Sequence, residues 1–278
     1  MNRFHGKRVF ITGAGSGLGR TLALSFASLG WKVCVAEIDP ERTRQTTQEV
    51  NQAGGEALAM TCDVTRPENL DKAATTLLDQ WGGVDIVINN AGVSGCGLME
   101  EIDLERWEWI LNINLKSVIY GCRSFIPMLK KQGSGHIVNV ASYLGFVSSP
   151  ESSCYNVTKA GVISLSETLR IELAKSNIGV SVVMPSFFKT NLMDQLYAAD
   201  ERQEKLVRAL FEKANFSSEK VTQCILKGIT ANRFYILPQW DAKLIWMIKR
   251  LSPELFLRLF SFIYRKSLIE KFFRLDPR

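Results

Sequence analysis

Tyr155 and Lys159 stand four residues apart in a stretch of helical pattern, so a helix would carry both on one face. An unperturbed phenol has a pKa of about 10 and is a poor base at neutral pH. A nearby ammonium favours the phenolate, and a phenol so tuned can give a proton to a carbonyl oxygen or take one from an alcohol. Ser142 follows the apolar run 136–140, so it would leave the end of a strand with its hydroxyl free to bond the same oxygen. Tyr143 is a second phenol, but no lysine lies four residues beyond it, and it reads as a wall of the substrate pocket. A Tyr–Lys pair on its own is usually an ordinary surface pair. It gains meaning from a second group of residues near the N-terminus.

That group is Thr12-Gly13-Ala14-Gly15-Ser16-Gly17-Leu18-Gly19, set between an apolar run over 8–12 and a helical stretch over 17–29. Glycines let the backbone turn sharply and approach a pyrophosphate, while the following helix offers free N–H groups and its positive end. Gly13, Ser16, Gly17, Leu18 and Gly19 are therefore expected to contact a dinucleotide. Glu37 ends the run 32–38, where a carboxylate can accept both ribose hydroxyls and would repel a 2′-phosphate. Asp39 shares its face and could share the task. The glycine loop holds no Lys or Arg and the nearest cation after Glu37 is Arg42, so the expected cofactor is NAD. Asp63, beside Val64, either bonds the adenine amino group or serves as a turn or capping aspartate. In Asn89-Asn90-Ala91-Gly92 an asparagine can tie strands together while Ala91 and Gly92 leave room for the cofactor; a plain strand-ending turn reads the same way.

The elements that must hold these residues alternate along the chain. Short apolar runs over 8–12, 32–38, 57–62, 85–89, 136–140, 179–184 and 233–237 predict strands buried on both faces. Helical stretches over 17–29, 40–53, 67–81, about 107–129 and 155–175 lie between them, with Thr65 a candidate N-cap for the third. The pattern predicts an α/β fold: a Rossmann-type, doubly wound, seven-stranded parallel sheet with helices on both faces. The polar stretch 191–218 interrupts the alternation and could cover a ligand.

Taken together, the glycine loop, the Asn-Asn-Ala-Gly turn, Ser142 and Tyr155-x-x-x-Lys159 resemble the short-chain dehydrogenase/reductase family over about residues 5–238. The resemblance implies a catalytic set of Asn114, Ser142, Tyr155 and Lys159, with Asn114 holding a water that relays protons from Lys159. It implies that Lys159 and Tyr155 also hold the cofactor ribose. It further implies that 185–190 is the nicotinamide loop, with Pro185 and Thr190 as contacts; Ser186 stands where the family usually has glycine. A homodimer or homotetramer is implied as well.

Composition sets the remaining bounds. With 278 residues, 46% hydrophobic and 22% charged, the chain suits one large α/β unit over 1–238 and an extension over 239–278. Six scattered cysteines and two histidines offer no metal-ligand spacing, and reduced thiols in a cytoplasmic protein are expected. No signal segment or membrane span is legible. Residues 239–278 carry nine Lys or Arg against four Asp or Glu, so five of the six net positive charges lie there, which says nothing for nucleic acid.

In the extension Ser252, Pro253 and Glu254 suit a helix start, and Leu255, Phe256, Leu259, Phe260, Phe262 and Ile263 would form an apolar face beside Arg258, Ser261 and Arg265. That face could lie on a membrane, pack within an oligomer or the chain, or close the substrate site. Gly95, Cys96, Leu98, Leu144, Phe146, Phe187, Phe188, Met193 and Leu196 are expected around a lipophilic small-molecule substrate. The function expected is NAD-dependent hydride transfer to or from a lipophilic alcohol, ketone or aldehyde. A membrane-associated reductase of fatty aldehydes or acyl thioesters, and a non-catalytic NAD-binding scaffold, are the competing readings.

Overall fold

A computed structural model describes residues 1 and 3–273. Its first half runs β1 (Arg8–Thr12), α1 (Gly17–Ala27), β2 (Lys32–Glu37), α2 (Pro40–Gln52), β3 (Glu56–Thr61), α3 (Pro67–Trp81), β4 (Ile86–Asn89), β5 (Gly95–Cys96), α4 (Leu104–Leu111) and α5 (Ser117–Gln132). The second half runs β6 (Gly135–Val140), α6 (Leu144–Val147), α7 (Ser153–Glu172), β7 (Ile178–Val183), β8 (Tyr197–Ala198), α8 (Glu201–Glu212), α9 (Ser218–Thr230) and β9 (Tyr235–Ile236). The extension adds α10 (Trp240–Leu251), α11 (Pro253–Arg265) and α12 (Leu268–Phe273).

Seven parallel strands form one sheet in the order β3-β2-β1-β4-β6-β7-β9. The chain winds outward from β1 in one direction and from β4 in the other, which opens a crevice at their carboxyl ends. Alternation along β1 explains the two layers: Phe10 enters the core on one face, Val9 and Ile11 the core on the other. A strand buried on both faces needs apolar residues at every position, as the sequence has.

Where structure and sequence reading differ, the causes are local. The helix expected near 107–129 starts at Leu104 and widens into a π-helical turn at Asn112–Lys116 before α5. Thr65 does not cap α3; its N–H and hydroxyl both bond Asp63 instead, at 2.9 and 2.7 Å. The last strand contracts to Tyr235–Ile236 because it is an edge strand that pairs only with β7. The two-residue strands β5 and β8 pair with each other, a pairing too short to leave a periodic signal.

The extension starts and turns as its residues suggest, but its apolar face divides. Pro253 opens α11 after Ser252, whose hydroxyl makes no capping bond. Phe256 is buried at 4% exposure and stacks on Phe260, whereas Leu255, Leu259 and Phe262 face outward. Lys249 donates to the Phe146 carbonyl and Tyr264 to Glu151, tying the extension to the sheet's carboxyl end. Residues 274–278 of the expected extension lie outside the described residues. Among those described, no helix is long and apolar enough to cross a membrane.

Candidate active site

The crevice holds a cleft of about 550 Å³ that runs from the glycine loop past Tyr155 to the extension. Its first half is built mainly of backbone. Gly13 and Gly17 take φ of +62° and +49°, which a side chain would strain. Asn90 clasps the loop, with Nδ2 donating to the carbonyls of Thr12 and Gly13 at 2.9 and 3.2 Å. Thr12 Oγ1 accepts from the N–H groups of Asn90 and Ala91 at 2.9 and 3.1 Å. The expected tie between strands thus exists, and Asn89 adds a second, donating to Asn139 at 2.8 Å.

Every residue expected to contact the cofactor borders the cleft except Gly19 and Asp39. Gly19 sits behind the loop, where an added Cβ would collide with the Gly13 carbonyl and stand 2.6 Å from Asn90 Nδ2. It permits the close packing of α1 on β1. Asp39 also stays out of the cleft: it caps α2 by accepting from Glu41 and Arg42. Asp63 is a turn aspartate, as one reading had it, and it borders the cleft too.

Glu37, buried at the end of β2, accepts from the N–H groups of Gly15 at 3.1 Å and Ile38 at 2.8 Å. A Cβ on Gly15 would stand 2.7 Å from Glu37 Cγ, so this glycine is what lets the carboxylate close on the loop. Arg42 borders the cleft as well, with Asp39 3.4 Å from its guanidinium. A cradle closed to side chains, with free helix N–H groups and a carboxylate at the strand end, fits a dinucleotide.

At the middle of the cleft Tyr155 and Lys159 rise from α7, and Ser142 follows β6. Burial raises the Tyr155 phenol to about 12, against an opposing hydrogen bond from Ser142. Burial also lowers the Lys159 ammonium to about 8. Desolvation is thus the largest influence on both groups. Lys159 Nζ donates to the Val140 carbonyl at 3.1 Å and lies 5.7 Å from the centre of the Tyr155 ring. Tyr143 lines the same cleft edge-on to Phe187 at 5.5 Å, the wall position expected of it.

Asn114 and Lys159 both approach Gly92, where an added Cβ would stand 3.1 Å from Asn114 Oδ1 and 3.4 Å from Lys159 Nζ. Asn114 lies on the π-helical turn, fully buried behind Gly92, and does not border the cleft. Its amide is committed to Val93, accepting from the N–H at 2.8 Å and donating to the carbonyl at 2.9 Å. The side chain thus holds the backbone beside Gly92, and Nδ2 also donates to Thr158 Oγ1 at 3.3 Å.

Pro185 and Thr190 border the cleft, and Thr190 Oγ1 stands where a Cβ on Gly17 would come within 2.7 Å. Ser186 needs no glycine, since its φ is not positive. Gln239, unmarked in the sequence, fixes this loop: Oε1 accepts from Ser186 N–H at 3.0 Å and Nε2 donates to the carbonyls of Ser186 and Phe187, each at 3.3 Å.

The far half of the cleft is made of side chains. Gly95, Cys96, Leu144, Phe187 and Phe188 border it as expected; Leu98, Phe146, Met193 and Leu196 do not. Phe146 turns away to a separate hollow beside Trp246 and Lys249. The missing wall comes from Leu206, Val207, Leu210 and Phe211 of α8, inside the stretch expected to cover a ligand. Their helical spacing was a readable signal. Tyr264, Ile269 and Glu270 of the extension close the end, so the extension contributes to the site. Arg202 pins this end, pairing with Glu151 and, at 3.5 Å, with Glu270.

Comparison with known proteins agrees with this geometry. Residues 7–201 match the family model for short chain dehydrogenases. A CLA biosynthesis dehydrogenase/reductase of Lactiplantibacillus plantarum is 30% identical over 274 residues, 91% of this chain and 96% of that one. A short-chain dehydrogenase/reductase of Burkholderia phymatum, solved in complex with NAD, superposes with a TM-score of 0.85 at 29% identity, covering 100% of this chain and 98% of the other. A short-chain dehydrogenase of Sphingobium yanoikuyae, solved with NADPH, gives 0.75 at 26%, covering 90% and 95%. The chain belongs to the short-chain dehydrogenase/reductase family, and it is an oxidoreductase of the kind that works with a nicotinamide cofactor.

Proposed function

We propose that this enzyme interconverts a lipophilic alcohol with its ketone or aldehyde, using NAD. One observation carries the reading: Tyr155, Ser142 and Lys159 stand where a glycine-and-carboxylate half of the cleft meets an apolar half. The cofactor, when bound in the first half, supplies or takes up the hydride. Ser142 would donate to the substrate oxygen and orient it beside Tyr155. Tyr155 would give that oxygen a proton during reduction and remove one during oxidation. A phenol raised to about 12 keeps its proton until positive charge enters the cleft beside it. Lys159, held by Val140, would hold the ribose of the cofactor and add its own charge to that of the oxidised nicotinamide. Asn114, beside Gly92 and close to Lys159, would hold a water that relays protons from Lys159.

Glu37 supports NAD over NADP, because its buried carboxylate would face a 2′-phosphate. Arg42 would favour the phosphate, but Asp39 offsets its charge. The apolar wall from α8 supports a lipophilic substrate over a sugar or a hydroxy acid. The remaining proposed contacts are Gly13, Ser16, Gly17, Leu18, Asp63, Val64, Asn90, Ala91, Gly92, Pro185 and Thr190.

The test is absorbance of the reduced nicotinamide with NAD and NADP over alcohols, aldehydes and acyl thioesters of increasing chain length. Catalytic efficiency should rise with chain length, and NAD should be preferred. Oxidation should accelerate and reduction slow as pH rises, because one phenol must be deprotonated for the first and protonated for the second. Turnover restricted to polar substrates, or preference for NADP, would overturn the respective part of the reading.

A further inference from the structure

α10 turns an apolar stripe outward. Trp240, Leu244, Met247, Ile248 and Leu251 recur at helical spacing, and all are exposed, Trp240 at 76% and Leu251 at 84%. Beyond the break at Ser252, exposed Leu255, Leu259 and Phe262 continue at the same spacing on α11. The anchoring side is elsewhere: Ala242 and Phe256 are buried, and Lys249 is bonded to Phe146. A surface helix ordinarily hides such a stripe, and a contiguous exposed one marks a contact.

The same two helices and α12 present Lys243, Arg250, Arg258, Arg265, Lys266 and Lys271 at the surface. Only Arg258 has an ion-pair partner among the described residues, Glu254 at 3.3 Å. Residues 239–278 hold nine cations against four anions, five of the six net positive charges of the chain. An apolar stripe with cationic flanks complements an anionic bilayer surface. A second copy fits poorly, because a two-fold interface sets a patch against itself and would bring like charges together.

We propose that α10 and α11 dock on an anionic lipid surface, with the Trp240–Leu251 stripe among the acyl chains and the cations at the phosphates. The extension also closes the substrate end of the cleft through Tyr264, Ile269 and Glu270. Docking therefore brings the apolar half of the cleft to the bilayer, where a lipophilic alcohol or aldehyde would be concentrated. That last step rests on the proposed substrate class; the docking does not.

The full chain, without cofactor, is sedimented with phosphatidylcholine vesicles containing or lacking about a third phosphatidylserine. It should partition to the anionic vesicles and lose about tenfold in binding at high salt. Brominated acyl chains should quench part of the tryptophan emission, and Trp240→Phe should remove that part. Combined Leu244→Glu, Met247→Glu and Leu251→Glu should lower binding at least about tenfold while Tm and solution mass stay as in the parent. The proposal is overturned by no vesicle binding, by equal and salt-independent binding to both compositions, or by a stripe variant that binds vesicles normally but dissociates an oligomer. Turnover of a water-soluble alcohol without vesicles reads the catalytic proposal separately: a protein that binds vesicles and turns over nothing sinks that proposal alone.

Discussion

The two halves of the cleft are built from different material. The half proposed for the dinucleotide uses backbone turns, glycines and short polar side chains within a few residues of β1, β2 and β4. Its partners hold one another, as Asn90 holds Gly13 and Glu37 holds Gly15. The half proposed for the substrate is walled by side chains from β5, α8, α11 and α12, which meet only after the chain has crossed the sheet and returned. The first half must match one invariant shape, so its geometry is written into short motifs. The second must match a substrate, and side chains on peripheral helices can vary without disturbing the sheet.

The comparison predicts that damage should separate. The largest effect belongs to the junction: Tyr155→Phe should lower kcat by about 10²–10⁴-fold, since it removes the proposed proton donor. Cofactor affinity, read by fluorescence of the reduced nicotinamide, should change less than about threefold, because the ring remains to fill its place. Retained turnover would show that another group moves the proton.

A smaller effect should follow loosening of the substrate end. Arg202→Met removes the cation between Glu151 and Glu270, both nearly buried. Removing one partner of a largely buried pair costs about 3–5 kcal/mol, so the extension should open locally. KM for a long-chain alcohol should rise about tenfold while KM for the cofactor holds. Equal losses in both would mean that the halves are not independent.

The smallest effect tests the first half alone. Glu37→Ala removes a buried, hydrogen-bonded carboxylate and should narrow the preference for NAD over NADP by about tenfold, the worth of one charged hydrogen bond. KM for the alcohol should stay unchanged. A selectivity that does not move would place cofactor choice with Arg42.

Local pattern made much of this protein legible. The inner strands were visible because a strand buried on both faces must be apolar at nearly every position, whereas edge strand β3 keeps several residues exposed. The glycine loop, Glu37 and the Tyr155–Lys159 pair were visible because each depends on spacings within one turn or one helix. Other features depend on where distant segments come to rest, and only the tertiary structure decided them. Gln239 fixes the loop after Pro185 from across the sheet edge. The Asn114 amide is claimed by Val93 because the π-helical turn rotates it inward. Gly19 had the right spacing for a ligand contact, yet packing against Gly13 put it behind the loop. The helical spacing of α10 and α11 shows apolar stripes but not which way they point. Burial of Ala242 and Phe256 and the bond from Lys249 to Phe146 set that direction, turning Trp240, Leu251 and Leu255 outward.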